Sequence, residues 1–482
     1  MTAGGWCVHR FDLQRSWDAL LDGVVEHESD VGAWTRRLGV RHGQRFLLNP
    51  KGFPDIRVNS FLASARMRNL AETTQRDYAH SLALWLNFLE TRGTPWWDAS
   101  IEDAEEFQFW RLTDPANAKT VGTSAFSKDV AACKKFYRWS SARFEAVVDV
   151  FDQVAFPSAK REAGVKWLDL AAITRWRDVG VRGRTLTGRR DRTWKGRNEQ
   201  RDSAFVDGLY GTGLRLSEWA SVVLPELGVL QSGRSFYTCH LADACAKGGY
   251  GHPYWMPRVA LSSVWAYVEG ARARAVRAAQ AVGRYDDVVG LTVVGEDVDG
   301  LSVWLPDETG DRVRRRWNVL GPGMRRRLFR RTASGVEPLM LWLNEDGMPR
   351  QAHAWHHTFD AGNRRIAALG LRDFSCTPHM CRHSFALKWF SIAKLVNSAR
   401  MGHLSAQEAQ DFRAQFGDTW HLVQTMLGHA RVETTKNVYL EPFRQLDVET
   451  LLAHAEGFPV AEFMAQAFAG HPKVVSDPAA VR

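Results

Sequence analysis

Apolar residues fall into sustained helical register from about residue 57. Tyr78, Leu82, Trp85, Leu86 and Leu89 recur at i, i+4, i+7, i+8 and i+11, one face of a helix. Thr73-Thr74 offers its N-cap, and Gly93 with Pro95 its stop. A second stripe, Phe126, Val130, Cys133, Phe136 and Tyr137, predicts another helix, and both stripes read as core. Residues 57–155 are therefore expected to form an all-helical domain. Ahead of it, residues 1–56 show a helical pattern only near Trp17–Val25, then Gly- and Pro-punctuated sequence ending in Asn49-Pro50-Lys51-Gly52; this extension has no assigned role. The polar, basic run 156–166 has the composition of a linker. Beyond it, 167–457 is mixed. Strands are expected at Ser235–Cys239, Val288–Val294 and Leu339–Leu343, and helices at Ser262–Ala279 and His379–Phe390. The overall expectation is a multidomain, mainly α chain: a helical domain followed by a mixed α/β domain.

At 482 residues the chain exceeds one ordinary core. An apolar fraction of 45% suits folded domains. No run approaches the ~18 apolar residues of a membrane span, and Met1 to Asp30 lacks the apolar core of a signal peptide. The expectation is a cytoplasmic protein with no membrane partner. Six cysteines over this length do not suggest a disulfide framework.

Charge changes the picture through its placement. Arg175 to Arg201 holds ten basic and three acidic residues, and Arg312 to Arg331 holds nine arginines and no acid. Together they exceed the net charge of +9, so the rest of the chain is net acidic. One such run is usually a solvated face. Two, interleaved with Trp176, Trp194 and Trp317, favour a polyanion, since phosphate contacts dominate nucleic-acid affinity. Double-stranded DNA is the expected partner, with Arg182, Arg184, Arg189 and Arg190 as candidate contacts and Lys128, Lys134 and Lys135 beside the second helical stripe.

Three clusters carry residue types suited to chemistry at a phosphodiester. Such chemistry needs rigid donors on the non-bridging oxygens and groups that move protons. The first is Gly211-Thr212-Gly213-Leu214-Arg215-Leu216-Ser217-Glu218-Trp219. The second is Thr377-Pro378-His379-Met380-Cys381-Arg382-His383, in which Thr377 reads as an N-cap, Pro378 as the first helical residue, and His379 with Arg382 as one face. The third is Leu427-Gly428-His429, with Tyr439 ten residues after the histidine. Cys376, His379 and Cys381, or Cys239, His240 and Cys245, match no standard zinc spacing, so no metal site is expected.

Arginine in a T-G-L-R-x-S-E context, then H-x-x-R-H, then L-G-H with a late tyrosine, in this order, resembles the tyrosine recombinase (phage integrase) family. The resemblance covers roughly residues 57–445, with 57–155 as the core-binding domain and 167–457 as the catalytic domain. It implies site-specific cutting and rejoining of DNA through a 3′-phosphotyrosyl intermediate, without a cofactor. By residue, it implies Tyr439 as nucleophile, Arg215 and Arg382 on the phosphate, His379 at the tyrosine proton, His429 donating to the phosphate, and Glu218 buttressing Arg215. It further implies a homotetramer on paired sites and an accessory directionality protein. The same chemistry serves type IB topoisomerases and telomere resolvases, and a silent DNA-binding regulator could keep the fold.

The family's catalytic lysine lies in a hairpin as K-G-x-K-x-R, whereas Ala246-Lys247-Gly248-Gly249-Tyr250-Gly251-His252 keeps only the first lysine. Lys247 is nonetheless the only lysine between Lys195 and Lys388, and Tyr439 the only tyrosine after Tyr285. An arginine cannot release a proton, so Lys247 is the expected general acid. Regions near 283–335 and 397–416 read as insertions. The tail, 458–482, contains an apolar face of Val460, Phe463, Met464, Ala467 and Phe468, expected to fold back or to pass to a neighbouring protomer.

Overall fold

The computed structural model describes residues 4–12, 39–145, 147–156, 166–286, 288, 290–295, 302–306, 311–401, 426, 474–475 and 477–478. Two compact units divide the chain, Met1–Ala163 and Gly164–Arg482.

In the first unit, β1 (Cys7–Arg10) pairs antiparallel with β2 (Arg45–Leu48). Five helices follow: α1 (Ile56–Leu62), α2 (Ala65–Arg68), α3 (Glu72–Arg92), α4 (Ile101–Leu112) and α5 (Thr123–Ser141). Asp55 caps α1 by accepting the Arg57 and Val58 N–H groups, and Ser100 with Asp103 closes a capping box on α4. Helix α3 starts earlier than its expected cap: Thr73 and Thr74 lie inside it, after Ala71, which makes no side-chain cap. Its stop is Gly93, as read from the sequence, in the left-handed region at φ 69°.

Both apolar stripes are core. Trp85, Leu82, Leu86 and Leu89 from α3 pack with Phe126, Cys133, Phe136 and Tyr137 from α5. The polar ends of the buried aromatics are satisfied, Trp85 Nε1 donating to Tyr137 Oη at 3.0 Å and Tyr137 donating to the Trp96 carbonyl at 2.7 Å. Residues from the 1–56 extension share this core: Leu47 is fully buried in it, and Asn87 on α3 exchanges two hydrogen bonds with the Trp6 backbone.

The second unit opens with β3 (Trp167–Leu168) and α6 (Leu170–Trp176), which runs on through a π-helical turn, Arg177–Val181. Then come α7 (Glu199–Thr212), the short α8 (Leu216–Trp219), and an antiparallel hairpin of β4 (Phe236–Leu241) and β5 (His252–Pro257). The expected helix at Ser262–Ala279 is α9 (Arg258–Tyr267) and α10 (Ala273–Ala281), joined by a π-helical turn. After β6 (Thr292–Val294) comes the hairpin β7 (Ser302–Pro306) and β8 (Arg312–Arg316), then α11 (Pro322–Arg325), β9 (Leu328–Thr332) and β10 (Gly335–Pro338). Strands β10, β9 and β6 form one small sheet, in which β6 and β9 are parallel. Helices α12 (Ala354–Ala368) and α13 (Pro378–Met401) follow, and β11 (Val474–Val475) returns to pair with β3. The architecture is mainly helical with small sheets: a helical N-terminal unit and a mixed α/β second unit.

Two strand expectations shrink. Only Thr292–Val294 of the Val288–Val294 run is strand. Leu339–Leu343 forms no regular strand, only isolated bridges from Met340 to Val223 and from Leu343 to Pro349. That apolar run is buried on all sides, at most 1% exposed; Leu339 N–H donates to the Leu328 carbonyl of β9, but most of the run's backbone partners lie outside strands. The Leu339 carbonyl accepts from Leu224 N–H, and the buried Arg272 guanidinium donates to the Pro338, Met340 and Leu341 carbonyls. The expected insertion at 283–335 has its own apolar cluster, in which Val303, Leu305, Trp317, Leu320 and Leu328 meet Val223 and Val276 of the main body.

Candidate functional site

Helix α7 must stop sharply to present Arg215. It ends at Gly213, whose φ of 68° suits glycine and where an added Cβ would lie 2.4 Å from the Phe385 ring. Two residues later Arg215 stands at the N-terminus of α8, and Glu218 folds back onto it. One Glu218 oxygen accepts the Arg215 N–H at 2.8 Å. The other accepts the Arg215 guanidinium at 2.9 Å and the Lys247 N–H at 3.1 Å. Glu218 is fully buried. Burial alone would raise its carboxyl, but hydrogen bonds from Arg215 and Lys247, with the Arg215 charge, hold it below the usual carboxylate range. One carboxylate thus ties together two segments about thirty residues apart in sequence.

The third segment is the start of α13. Thr377 Oγ1 accepts the Met380 N–H at 3.2 Å, with Pro378 in the first helical position. Arg382 is 5% exposed and donates to the Gly213 carbonyl at 2.5 Å, which pins this helix to the turn carrying Arg215. Burial, then the neighbouring Arg215 charge, pushes the Arg382 guanidinium down to about 10, with Glu218 acting in the opposite sense. Two guanidiniums held within mutual repulsion, one of them buried, make a place that favours an anion. His379 is lowered by burial and by Arg382, Lys247, Arg215 and His356, so it stands neutral at neutral pH beside these cations. His383 stacks on His379 at 6.0 Å and is lowered by burial, His379 and Arg382.

Lys247 is exposed at the tip between β4 and β5, followed by Gly248 and Gly249 at φ 95° and 79°. At the base of this loop, opposite Leu241, stands His252, in sequence only the end of a broken lysine motif. Its Nδ1 lies 2.9 Å from the Pro253 carbonyl, and its buried Nε2 has no protein partner. Burial lowers it, the Pro253 contact and Glu218 raise it, and Arg382 and Arg215 lower it, so it faces the same cluster. The available signal was the hairpin itself, whose register sets His252 opposite Leu241 at the base of the loop that carries Lys247.

His429, Tyr439, the linker residues 157–165, residues 402–416 and the Pro459–Ala469 stripe lie outside the described residues. Among the candidate DNA contacts, Lys128 is exposed, while Lys134 and Lys135 are half-buried over the Phe156 and Tyr78 rings. Arg189 and Arg190 are exposed, Arg182 pairs with Asp178 at 3.5 Å, and Arg184 donates to the Gly188 carbonyl. Part of each basic window points inward. Arg175 pairs with Asp477, Arg177 with Asp207, Arg201 with Asp202 and Arg325 with Glu226. Cys376 and Cys381 sit with sulfurs 3.5 Å apart and fully buried. Among the described residues no group of three or more His, Cys, Asp or Glu is arranged to hold a metal, and no helix is long and apolar enough to cross a membrane.

Residues 58–143 match the family described as phage integrase, N-terminal SAM-like domain, a match confined to the helical unit. No curated protein matches the sequence. Among solved structures the chain is similar to the XerH site-specific recombinase bound to palindromic difH substrate in a post-cleavage complex, at 12% identity over 82% of this chain and 83% of that one, TM-score 0.43. It is also similar to the Tn1549 transposon integrase in complex with circular intermediate DNA, at 12% identity over 79% and 97%, TM-score 0.41. A third is the XerA recombinase, at 12% identity over 82% and 98%, TM-score 0.26.

Proposed function

We propose that this chain, whose residues 58–143 match a phage integrase N-terminal SAM-like domain, is a tyrosine recombinase that works in the cytoplasm as a site-specific DNA strand transferase acting through Tyr439. The observation that carries this reading is the meeting of Arg215, Lys247, His379 and Arg382, from three remote segments, around the Glu218 carboxylate and the Gly213 carbonyl.

In the proposed reaction the Tyr439 oxygen attacks the scissile phosphorus. A phosphorus–oxygen bond to tyrosine forms as the bond to the 5′-oxygen breaks, leaving a 3′-phosphotyrosyl link. Arg215 and Arg382 donate to the non-bridging oxygens, where charge builds in the transition state; one such donor is worth ~10²–10³ in rate. His379, neutral at neutral pH, accepts the tyrosine proton, and His429 donates to the phosphate. Lys247 protonates the departing 5′-oxygen. Attack by a 5′-hydroxyl of a second duplex reverses these steps and rejoins the strands, since the phosphotyrosine retains the bond energy. Exchange between two duplexes requires paired sites, hence a homotetramer, with a directionality protein selecting the outcome.

A nicked suicide duplex, from which the 5′-hydroxyl fragment diffuses away, should trap a covalent protein–DNA adduct. Tyr439→Phe should abolish the adduct while leaving DNA binding intact. Undiminished adduct from this variant would overturn the assignment. Relaxation of supercoiled DNA lacking any specific site would point instead to a topoisomerase with the same chemistry.

A further inference from the structure

Lys247 stands on a glycine-rich tip, a poor platform for a proton donor that must meet one oxygen. Glycine is the residue with most backbone freedom to lose, and Tyr250 at the same tip is 74% exposed; apolar packing holds Cys245 and Ala246 but stops short of the lysine. What restrains the tip is polar. Asp243, four residues before the lysine, receives the Gly251 N–H on one carboxylate oxygen at 2.6 Å, closing the loop at its base. That closure needs glycine, because a Cβ on Gly251 would lie 2.1 Å from the Leu241 carbonyl oxygen. The other Asp243 oxygen accepts the Asn318 amide N–H, and Asn318 Oδ1 accepts the Asp243 N–H at 2.7 Å. Asn318 therefore reads this residue twice, by side chain and by backbone.

Asn318 belongs to the inserted region, directly after the arginine strand β8. The segment around it is held from behind by Arg325, which is 1% exposed. Arg325 donates to the Trp317 carbonyl at 3.0 Å and the Leu320 carbonyl at 2.7 Å, and makes a two-pronged pair with Glu226 at 2.7 and 2.8 Å. It also donates to the Ser221 carbonyl, just past the helix whose Glu218 holds Arg215 and the Lys247 N–H. The Cys245 thiol meets the Leu320 carbonyl at 3.6 Å. The insertion thus grips both the lysine loop and the arginine helix.

We propose that Asn318 is a positioning residue for Lys247, and that the insertion replaces the motif residues missing around this lysine with an external brace. The proposal rests on the reading of Lys247 as the acid that protonates the leaving oxygen. It assigns the insertion a role in the chemical step.

The test compares full-length Asn318→Asp, Asp243→Asn, their double exchange, and Lys247→Ala on two nicked duplexes of the recombination site, one with the ordinary 5′-bridging oxygen and one with sulfur. Sulfur leaves without a proton. Each single variant should cleave the oxygen substrate at least about tenfold more slowly, up to the ~10²–10⁴ of a lost general acid, and recover on sulfur. Asn318→Asp sets two carboxylates together, and Asp243→Asn can set two amides together. In the double exchange the amide at 243 can donate to the carboxylate at 318 while its oxygen still receives the Gly251 N–H, so oxygen cleavage should return. Hydrogen exchange over residues 243–251 should rise in the singles and fall back in the double. Equal single-variant defects on both substrates, or unchanged exchange, would overturn the proposal. Failure of Lys247→Ala to recover on sulfur would overturn the lysine reading, and exchange would still decide whether Asn318 holds the loop.

Discussion

Replacing Glu218 by glutamine removes one charge and almost no volume, so its consequences can be worked from the hydrogen bonds. The carboxylate accepts from the Arg215 N–H, the Arg215 guanidinium and the Lys247 N–H. Glutamine offers one oxygen, so either the Arg215 N–H or the other two donors must face an NH2 group. An unmatched buried donor costs about 1–3 kcal/mol, and a lost hydrogen bond to a charged partner about 1.5–3. Since Glu218 is fully buried and the Arg215 side chain is 23% exposed, the sum should approach the ~3–5 kcal/mol of breaking a buried pair. Urea unfolding followed through tryptophan fluorescence reads this loss, Trp219 being the adjacent, fully buried residue. The pH dependence has a definite sign. A carboxyl held below its unfolded value of about 4.3 contributes stability that is fully present above that value and lost as pH falls through the folded one. The gap between wild type and variant should stay level from pH 6 to 8 and narrow below about pH 4. Suicide-substrate cleavage should fall ~10²–10³-fold as Arg215 loses its support. A deficit under about 1 kcal/mol with unchanged cleavage would refute the reasoning.

Three further outcomes follow from the structure. Neutralising exposed Arg189, Arg190 and Arg192 should weaken binding to all DNA sequences alike and reduce the salt slope by about 0.9 per lost phosphate contact; an unchanged slope would return them to a solvated face. Arg177→Ala, which leaves Asp207 without its ion-pair partner and with the Ser263 hydroxyl still donating to it, should instead lower stability, by up to about 3–5 kcal/mol for a broken buried pair, as read by urea midpoint. Asp477 holds Arg175 at 3.2 Å and follows the strand pairing Val474–Val475 with Trp167–Leu168. Asp477→Arg should therefore free this strand pairing, detected as faster hydrogen exchange at Val474–Val475 and Trp167–Leu168, and Arg175→Asp in the same chain should restore protection.

The sequence was most informative where partners are close along the chain. The stripes of α3 and α5, the Gly93 stop and the Thr377–Pro378 start each follow from spacings under a dozen residues, and all appear in the fold. The pairing of Glu218 with Arg215, three residues apart, came from the resemblance rather than from spacing, and the two are hydrogen-bonded in the fold. What escaped depends on distant pairing. Arg325 sits in an arginine run that reads as surface, yet Glu226, about a hundred residues away, draws it inside. Arg272, unremarkable in an amphipathic helix, is buried because three carbonyls of the Leu339–Leu343 region need donors. That same region reads as strand by composition, but burial on all sides leaves no continuous edge to pair with. His252 escaped because its neighbours are set by strand pairing: β5 opens opposite Leu241 and brings it within reach of the Arg215 and Arg382 charges.

The proposed reaction turns on a covalent bond from one tyrosine to a 3′-phosphate. Trapping the adduct on a nicked duplex, digesting both protein and DNA, and sequencing the nucleotide-bearing peptide by mass spectrometry tests it most directly. One modified peptide is expected, carrying its nucleotide on Tyr439 through a 3′-phosphate, with a free 5′-hydroxyl on the released part of the cleaved strand. A nucleotide on any other residue, or a link through a 5′-phosphate, would contradict it.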